Sequence, residues 1–400
     1  MDILGDKEDA LDQQEELAVD LAQAKVLVVE DNEMNRIFAC AVLESMGLTN
    51  VECARDGREG LEKVESFAPD IVLLDLMMPV MNGEQFLVAL RADPRYRALP
   101  VLVLSAVIDQ TTRNALFAAG ANDYIGKPID RRELVARVEV HLRSHLLLAD
   151  LRRYRDRLAV DLRMASGMQN ALLPGPAQMR EARDRYGLSI NAVFNPSTEL
   201  GGDLWGLVPV DDHRLALYTV DFSGHGVAAS INTFRLHLLL QDLDAQMGFP
   251  DAVLEKVNVT LKQLLPRGQF ATMTLVVIDR QERTLSLVNA GGPAPILVEP
   301  GGEPHLVGGV GLPLGISLEA RYELVTMPFP PGSQLSLYSD ALIDAPDSHG
   351  NPLGEDWVLD LVRQVLTDDP TETVAGVMSV FTSRSPGEFA DDVTWVQVVG

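Results

Sequence analysis

Residues 71–83 read IVLLDLMMPVMNG. Four apolar residues run into Asp75, and a proline and a glycine follow before the next helical pattern begins. An unbroken apolar run of this length is the pattern of a strand buried on both faces, as in a parallel sheet. Similar runs stand at 26–29 and 101–104, with a weaker one at 51–54 and another around Tyr124 and Ile125. Amphipathic stretches alternate with them at 33–46, 57–66, 83–91, 110–119 and 130–148. Gly47 and Gly120 fall where a helix is expected to end in a left-handed residue. Five strands alternating with five helices predict an α/β unit with an open parallel sheet, whose functional groups collect at the carboxyl ends of the strands.

Those ends carry Glu30 and Asp31 after the first strand, Asp75 at the third, Ser105 at the fourth, and Lys127 and Pro128 after the fifth. Three carboxylates at one spot repel each other unless a hard divalent cation sits among them. Mg²⁺ suits such oxygen ligands and also binds a phosphoryl oxygen. Lys127 supplies a positive charge opposite, and the Ser105 hydroxyl can donate to another phosphoryl oxygen. An aspartate held in this way becomes a nucleophile toward a phosphodonor.

The acidic pair, Asp75 in LLDLMMPVMNG, Ser105 in LSA and the run YIGKP resemble the CheY-like receiver domain of two-component response regulators, over about residues 24–145. The resemblance implies a flavodoxin-like (βα)5 fold with strand order 2-1-3-4-5. It implies Asp75 as the phosphorylation site, Mg²⁺ held by Glu30, Asp31, Asp75 and the Met77 carbonyl, and Tyr124 as the aromatic that turns inward when Ser105 moves. It also implies a cis peptide between Lys127 and Pro128, and a sensor histidine kinase or phosphotransfer protein as the phosphodonor. The alternative is a flavodoxin-like domain whose strand-end carboxylates serve solubility; Asp75, Ser105 and Lys127 all standing at the right strand ends weighs against it.

The fifth helix does not stop where such a domain ends. From Leu134 to about Leu172 there is no proline and one glycine, and Pro174-Gly175-Pro176 closes the run. Leu134, Val138, Leu148, Leu151, Tyr154, Leu158, Leu162, Ala165, Met168 and Leu172 recur close to heptad spacing. A helix this long is not buried by either domain alone, so a parallel homodimer through a coiled coil is expected, with packing on the chain's own domains as the alternative. Nine arginines lie between 131 and 163. They read as the solvated face of that helix, supported by the i,i+4 pairs Glu133–Arg137 and Glu139–Arg143, rather than as a patch for nucleic acid, since no aromatic residues interleave with them.

Beyond the linker the pattern changes to strands at 188–194, 204–210, 214–220, 271–278, 284–289, 294–298, 334–338 and 393–399. Helices are expected at 227–246, 250–265, 354–365 and 371–382. Four segments each bring an aspartate among small or polar neighbours: Gly201-Gly202-Asp203, DFSGHG at 221–226, Ser339-Asp340 and Asp391-Asp392. Clustered carboxylates with glycine neighbours let a metal and a phosphate oxygen come close to the backbone. Two metals sharing a water there would activate it for in-line attack on phosphorus. The two cysteines, Cys40 and Cys53, lie in the other domain, which argues against a cysteine nucleophile.

MQNALLP, LGGDLWG, DFSGHGVAAS, FATMTLVVID, NAGGPAPILV, GLPLGI, LSLYSDALIDA and ADDVTW resemble, in number and order, the SpoIIE/RsbU branch of the PPM serine/threonine phosphatases, over about residues 160–400. The resemblance implies an α-β-β-α sandwich and a site for two Mn²⁺ or Mg²⁺ ions. Asp221 would bridge both ions, and Asp203, the Phe222 carbonyl, Asp340 and Asp391 would complete the shells, with Asp392 beside them. It further implies a phosphorylated STAS-type anti-sigma-factor antagonist as substrate. Two departures stand out: Gly292 where the family commonly has histidine, and Ala341 where it commonly has glycine. The aspartates persist, so metal binding is expected to persist. The alternative is a weak or inactive phosphatase fold serving as a phosphorylation-controlled adaptor. His225 reads as a brace for its glycine turn, with an acid toward the leaving group as the other reading.

Composition sets the frame. The 400 residues are too many for one ordinary core, and 46% hydrophobic with 23% charged residues is a globular balance. The net charge of −25 repels phosphate backbones, which disfavours nucleic acid as partner. No signal-peptide pattern opens the chain, and no apolar run approaches the roughly 20 residues that span a bilayer. The expectation is a cytoplasmic protein with an acidic, disordered leader at 1–22, a receiver at 23–145, a helical linker at 146–185 and a phosphatase domain at 186–400. With Gly400 directly after the last strand, the kinase and the STAS protein are expected to be separate chains.

Overall fold

A computed structural model describes residues 21–106, 110–224, 226–309, 311–347, 349–385 and 389–400. Of the expected leader only residues 21 and 22 fall among these, in a 3-10 turn at Leu21–Gln23. His225 lies outside the described residues. The chain divides into two compact units, Met1–Leu158 and Ala159–Gly400.

In the first unit the strands are β1 Lys25–Val29, β2 Asn50–Ala54, β3 Ile71–Asp75, β4 Val101–Ser105 and β5 Asp123–Gly126. They form one parallel sheet in the order β2-β1-β3-β4-β5. The helices are α1 Glu33–Ser45, α2 Gly57–Phe67, α3 Gly83–Ala92, α4 Gln110–Ala118 and α5 Arg131–Asn170. The unbroken apolar runs arise because both sheet faces are covered. Val26, Val28, Leu73, Leu102 and Leu104 pack with α1 and the start of α5, while Leu27, Val29, Leu74, Val101 and Val103 pack with α2 and α3. Asn32, Asp56 and Asn82 each accept from the first-turn amides of the helix they precede, which fixes where these helices start. Gly47 and Gly120 adopt the expected left-handed backbone, with φ of 82° and 101°.

Helix α5 runs unbroken for 40 residues, ending two residues short of Leu172. Its apolar stripe divides by environment. Leu134 and Val138, with Leu142, are core residues of the first unit, whereas Leu148, Leu151, Tyr154 and Leu158 are exposed.

The second unit begins, after α5, with α6 Pro176–Tyr186. Its strands β7 Asp203–Pro209, β8 Arg214–Phe222, β9 Ala271–Asp279, β10 Thr284–Ala290 and β13 Val325–Pro328 form one antiparallel sheet. A second sheet holds β6 Ser189–Asn195, β11 Ile296–Val298, β12 His305–Leu306, β14 Gln334–Tyr338 and β15 Val393–Val399. Alternation along β8 shows how the layers stack. Leu215 and Leu217 point into the core shared by the two sheets, where they join Leu335, Leu337, Val396 and Val398. Ala216, Tyr218, Val220 and Phe222 point to the other face, under α7 Val227–Asp242 and α8 Pro250–Leu264. On the far side Tyr338, Val393 and Trp395 pack beneath α9 Ala341–Asp344, α10 Gly354–Val365 and α11 Pro370–Arg384. The unit is an α-β-β-α sandwich. Strands β12 and β13 and helix α9 were not expected from the pattern; two to four residues are too few to show a period, and β13 is a sheet-edge strand with no buried residue.

Candidate functional site

Parallel pairing brings the ends of β1, β3, β4 and β5 together in the first unit. Glu30, Asp31 and Asp75 each offer a carboxylate oxygen within 4.8 Å of one another. Glu30 and Asp75 are buried while Asp31 is exposed, so the cluster opens to solvent on the Asp31 side. Lys127 Nζ donates to Glu30 Oε2 and to Asp75 Oδ1, each at 2.8 Å. Burial alone would lower the Lys127 ammonium, but its hydrogen bonds to Asp75 and Glu30 outweigh that and raise it, so it stays charged. Asn35 donates to Glu30 Oε1 at 2.9 Å, and the Arg36 guanidinium donates to the carbonyls of Glu30 and Asp31.

Ser105 is buried at the end of β4, and its carbonyl accepts from Lys127 N at 2.8 Å. The Lys127–Pro128 peptide is cis. Tyr124 is half-buried; its hydroxyl accepts from Arg113 at 2.8 Å, and that guanidinium lies 5.4 Å from its ring centroid. Met77 follows Asp75 by two residues with its side chain exposed. Gly83 opens α3 against the end of β3. A Cβ there would stand 2.3 Å from the Asp75 carbonyl oxygen, so only glycine permits this approach.

In the second unit Asp203 opens β7 directly opposite Asp221 on β8. Asp340 follows β14, and Asp391 precedes β15. Asp203, Asp221 and Asp340 line one cleft with Thr274, Gly292 and Thr394. Burial, then the neighbouring Asp221, pushes the Asp203 carboxyl well up. Burial and then Asp340 and Asp391 push Asp221 up to about 7, and burial and then Asp391 push Asp340 up to about 6. Among the described residues no lysine or arginine forms an ion pair with any of these four aspartates. Carboxylates gathered without a cation of their own form a donor set of hard oxygens that fits Mg²⁺ or Mn²⁺. The gathering is looser than in the first unit, since no three of these carboxylates meet the same 4.8 Å limit.

Asp392 is placed differently from its neighbour. It is buried, and its carboxylate accepts from Ser197 N at 2.7 Å, from Ser197 Oγ at 3.0 Å and from Gly202 N. It fastens the turn that presents Asp203, while Asp391 is exposed beside it. Gly201 and Gly202 are needed here: a Cβ on the first would meet Asp392 Oδ2 at 2.7 Å, and on the second the Phe222 carbonyl at 2.9 Å. Gly292 leaves its amide to Asn289 Oδ1 at 2.8 Å, and Ala341 opens α9 next to Asp340.

Three further residues, each inside a segment singled out above, make contacts that the sequence pattern does not show. Thr394 donates to Asp203 Oδ2. Ser339 Oγ donates to the Asp392 carbonyl at 2.9 Å and accepts from Thr394 N. Gln169, in the last turn of α5, donates to the Gly201 carbonyl at 2.7 Å and accepts from Gly201 N at 3.1 Å. Gln169 falls within MQNALLP, so the motif marked the place though not the contact.

The fold and the two acidic sites define a receiver-type domain joined to a domain of the PPM (PP2C-like) phosphatase class. Residues 26–139 match the response regulator receiver domain family, and residues 211–398 match the stage II sporulation protein E (SpoIIE) family. The chain carries a two-component receiver and a SpoIIE-type PPM phosphatase domain. The Bacillus subtilis (strain 168) phosphoserine phosphatase RsbP is 26% identical over 192 residues, 47% of this chain and 45% of that protein. The Dictyostelium discoideum hybrid signal transduction histidine kinase D is 44% identical over 114 residues, 28% of this chain and 7% of that protein. This chain thus spans less than half the length of either relative. The solved SiaA-PP2C domain of Pseudomonas aeruginosa superposes with a TM-score of 0.55 at 21% identity, covering 62% of this chain and 98% of that one, a likeness of fold. Among the described residues no helix is long and apolar enough to cross a membrane.

Proposed function

We propose that this chain is a response regulator whose output is metal-dependent hydrolysis of phosphoserine or phosphothreonine on a protein, governed by phosphorylation of Asp75. The observation that carries the reading is the pairing, on one chain, of a Lys127-bridged acidic site with a carboxylate cluster that, among the described residues, has no lysine or arginine paired with it. The name of the relative RsbP, a phosphoserine phosphatase, supports the substrate class. A phosphorylated STAS-type anti-sigma-factor antagonist is the proposed substrate, and a sensor histidine kinase or phosphotransfer protein the proposed donor, all in the cytoplasm. The receiver is assigned to 23–145, the linker to 146–185 and the output domain to 186–400.

In the receiver Asp75 takes the phosphoryl group, Lys127 balances its charge and Ser105 donates to it. Glu30, Asp31, Asp75 and the Met77 carbonyl would hold Mg²⁺. In the output domain Asp203, Asp221, Asp340, Asp391 and the Phe222 carbonyl would hold two Mn²⁺ or Mg²⁺ ions, with Asp392 bracing the turn behind Asp203. Divalent cations at these sites supply a charge sink for phosphoryl oxygens and, in the output domain, an activated water. Helix α5 begins in the receiver core with Leu134 and Val138, and it ends with Gln169 on the loop that presents Asp203. A shift of this helix on phosphorylation, or of its pairing with a second copy through Leu148, Leu151, Tyr154 and Leu158, is the proposed route of control.

The test is phosphate release from a phosphorylated STAS-type protein by the purified chain with Mn²⁺, with and without a beryllofluoride mimic of phospho-Asp75. Release that changes with the mimic, and that is lost in Asp221→Asn, is the expected result. No release in either state sinks the enzymatic reading. The looser gathering of the second cluster is the observation that favours an adaptor, whose partner binding would survive loss of all four aspartates and need no divalent metal.

A further inference from the structure

Cys40 and Cys53 are the two cysteines of the chain, and neither takes part in the sites above. They stand on different elements of the receiver, Cys40 on α1 and Cys53 on β2, with their Sγ atoms 3.1 Å apart. Both are free thiols and only partly buried, so a small oxidant has access to them. A disulfide needs the sulfurs at about 2.05 Å, so closing this gap asks for a shift of about 1 Å shared between two side chains. We propose that Cys40 and Cys53 form a redox-active pair that closes to a reversible intramolecular disulfide and pins α1 to β2.

The two sulfurs are not equivalent. The hydrogen bond with Cys40 pulls the Cys53 thiol down to about 7 against the opposing effect of burial, and Arg36 and Lys63 assist. The same hydrogen bond, then burial, pushes Cys40 up. Lys63 Nζ donates to the Cys53 carbonyl at 2.5 Å, which sets a cation beside Cys53, so Cys53 is assigned as the attacking thiolate and Cys40 as the resolving thiol. With a peroxide as oxidant, the Cys53 thiolate attacks one peroxide oxygen, the O–O bond breaks, and a sulfenic acid and hydroxide result. Cys40 then attacks the Cys53 sulfur; the S–S bond forms, the S–O bond breaks, and water leaves with the Cys40 proton. Two thiols lose two electrons in all, and one peroxide accepts them. A low-molecular-weight thiol reverses the step by exchange. Asn35 and Arg36 sit on the same helix, so whatever fixes α1 fixes the groups that hold Glu30 and Asp31.

The sequence provides a direct readout, because no lysine or arginine lies between Arg36 and Arg55, and one tryptic peptide, 37–55, contains both cysteines. After treatment of the intact chain with hydrogen peroxide, that peptide is expected to be lighter by two hydrogens, to resist iodoacetamide, and to regain both alkylation sites after dithiothreitol. On a non-reducing gel the chain should show no new covalent dimer. In Cys40→Ser, with its helical signal checked by circular dichroism, Cys53 should be trapped by dimedone as the sulfenic acid. Amide exchange across α1 and β2 should slow on oxidation of the wild-type chain. Full alkylation of both cysteines after peroxide, or crosslinks only between chains, would overturn the proposal, and unchanged exchange would overturn the pinning.

Discussion

Replacing Gln169 by alanine tests whether the end of α5 holds the Asp203 loop. The Gln169 side chain is 2% exposed and spans both polar groups of Gly201, with a third, longer bond to Thr233 Oγ1 at 3.3 Å. Alanine is the best helix former, so the helix itself loses nothing. What is lost is the partner of a buried N–H and a buried carbonyl, each costing about 1–3 kcal/mol when left unmade. The central expectation is a loss of about 4 kcal/mol, which for a unit of this size lowers its unfolding midpoint by roughly 8–16 °C. Gly202 and Asp203 follow Gly201 directly, so a loosened turn also misplaces the first carboxylate of the cluster. If only about 1.4 kcal/mol of the loss falls on that placement, the divalent-ion concentration for half-maximal hydrolysis rises about tenfold. The assays are calorimetry on the metal-free chain and phosphate release against Mn²⁺ concentration. Gln169→Glu sharpens the test, since it keeps an acceptor for Gly201 N but sets a carboxylate against the Gly201 carbonyl. An alanine variant with wild-type midpoint and wild-type Mn²⁺ dependence would refute the reasoning.

Asp221→Asn should abolish hydrolysis and yet stabilise the metal-free chain at neutral pH. Asp221, Asp340 and Asp203 are raised in the folded state, so the cluster disfavours folding progressively as pH climbs from about 4 through about 7. The wild-type midpoint in chelator should therefore fall over that window more steeply than the variant's; parallel pH curves would contradict this. Gly83→Ala forces a Cβ to within 2.3 Å of the Asp75 carbonyl and should cost about 1–3 kcal/mol in the receiver, with weakened beryllofluoride binding as the second sign. Leu151→Lys, at a side chain 63% exposed, should leave both folds intact while reducing any dimer seen by sedimentation; a dimer of unchanged strength would remove this helix face from the interface. Trp395→Ala, in the core beneath α9, α10 and α11, should cost about 3–5 kcal/mol, read by denaturant titration.

Much of the architecture could be read in advance because each element announces itself within a few residues. The runs at 26–29, 71–74 and 101–104 become β1, β3 and β4, and each ends at or just before a functional side chain. Along β8 the alternation of side-chain direction likewise decides which of two buried layers each residue joins. What was hidden depends on partners far along the chain. Gln169 meets Gly201 from 32 residues away, and Asp392 meets Gly202 from 190. Nothing in the local pattern distinguishes Asp391 from Asp392; their division into an exposed carboxylate and a buried brace appears only when β15 is laid beside β6 and the Ser197 turn closes over its start. Cys40 and Cys53, thirteen residues apart with no recognisable spacing, became neighbours for the same reason.

Lys127 gives the receiver a covalently attached ammonium, and its bonds to Asp75 and Glu30 favour the charged form. With it in place between Glu30 and Asp75, the receiver site is expected to keep its shape when divalent ions are scarce. Among the described residues the carboxylate cluster of the second unit has no lysine or arginine paired with it, so its aspartates are expected to depend on ions supplied from outside. Depletion of divalent ions should then silence hydrolysis first, while the chain remains able to recover its response once the ions return. On the proposed function, ion availability would then act as a further input, felt most strongly at the output domain.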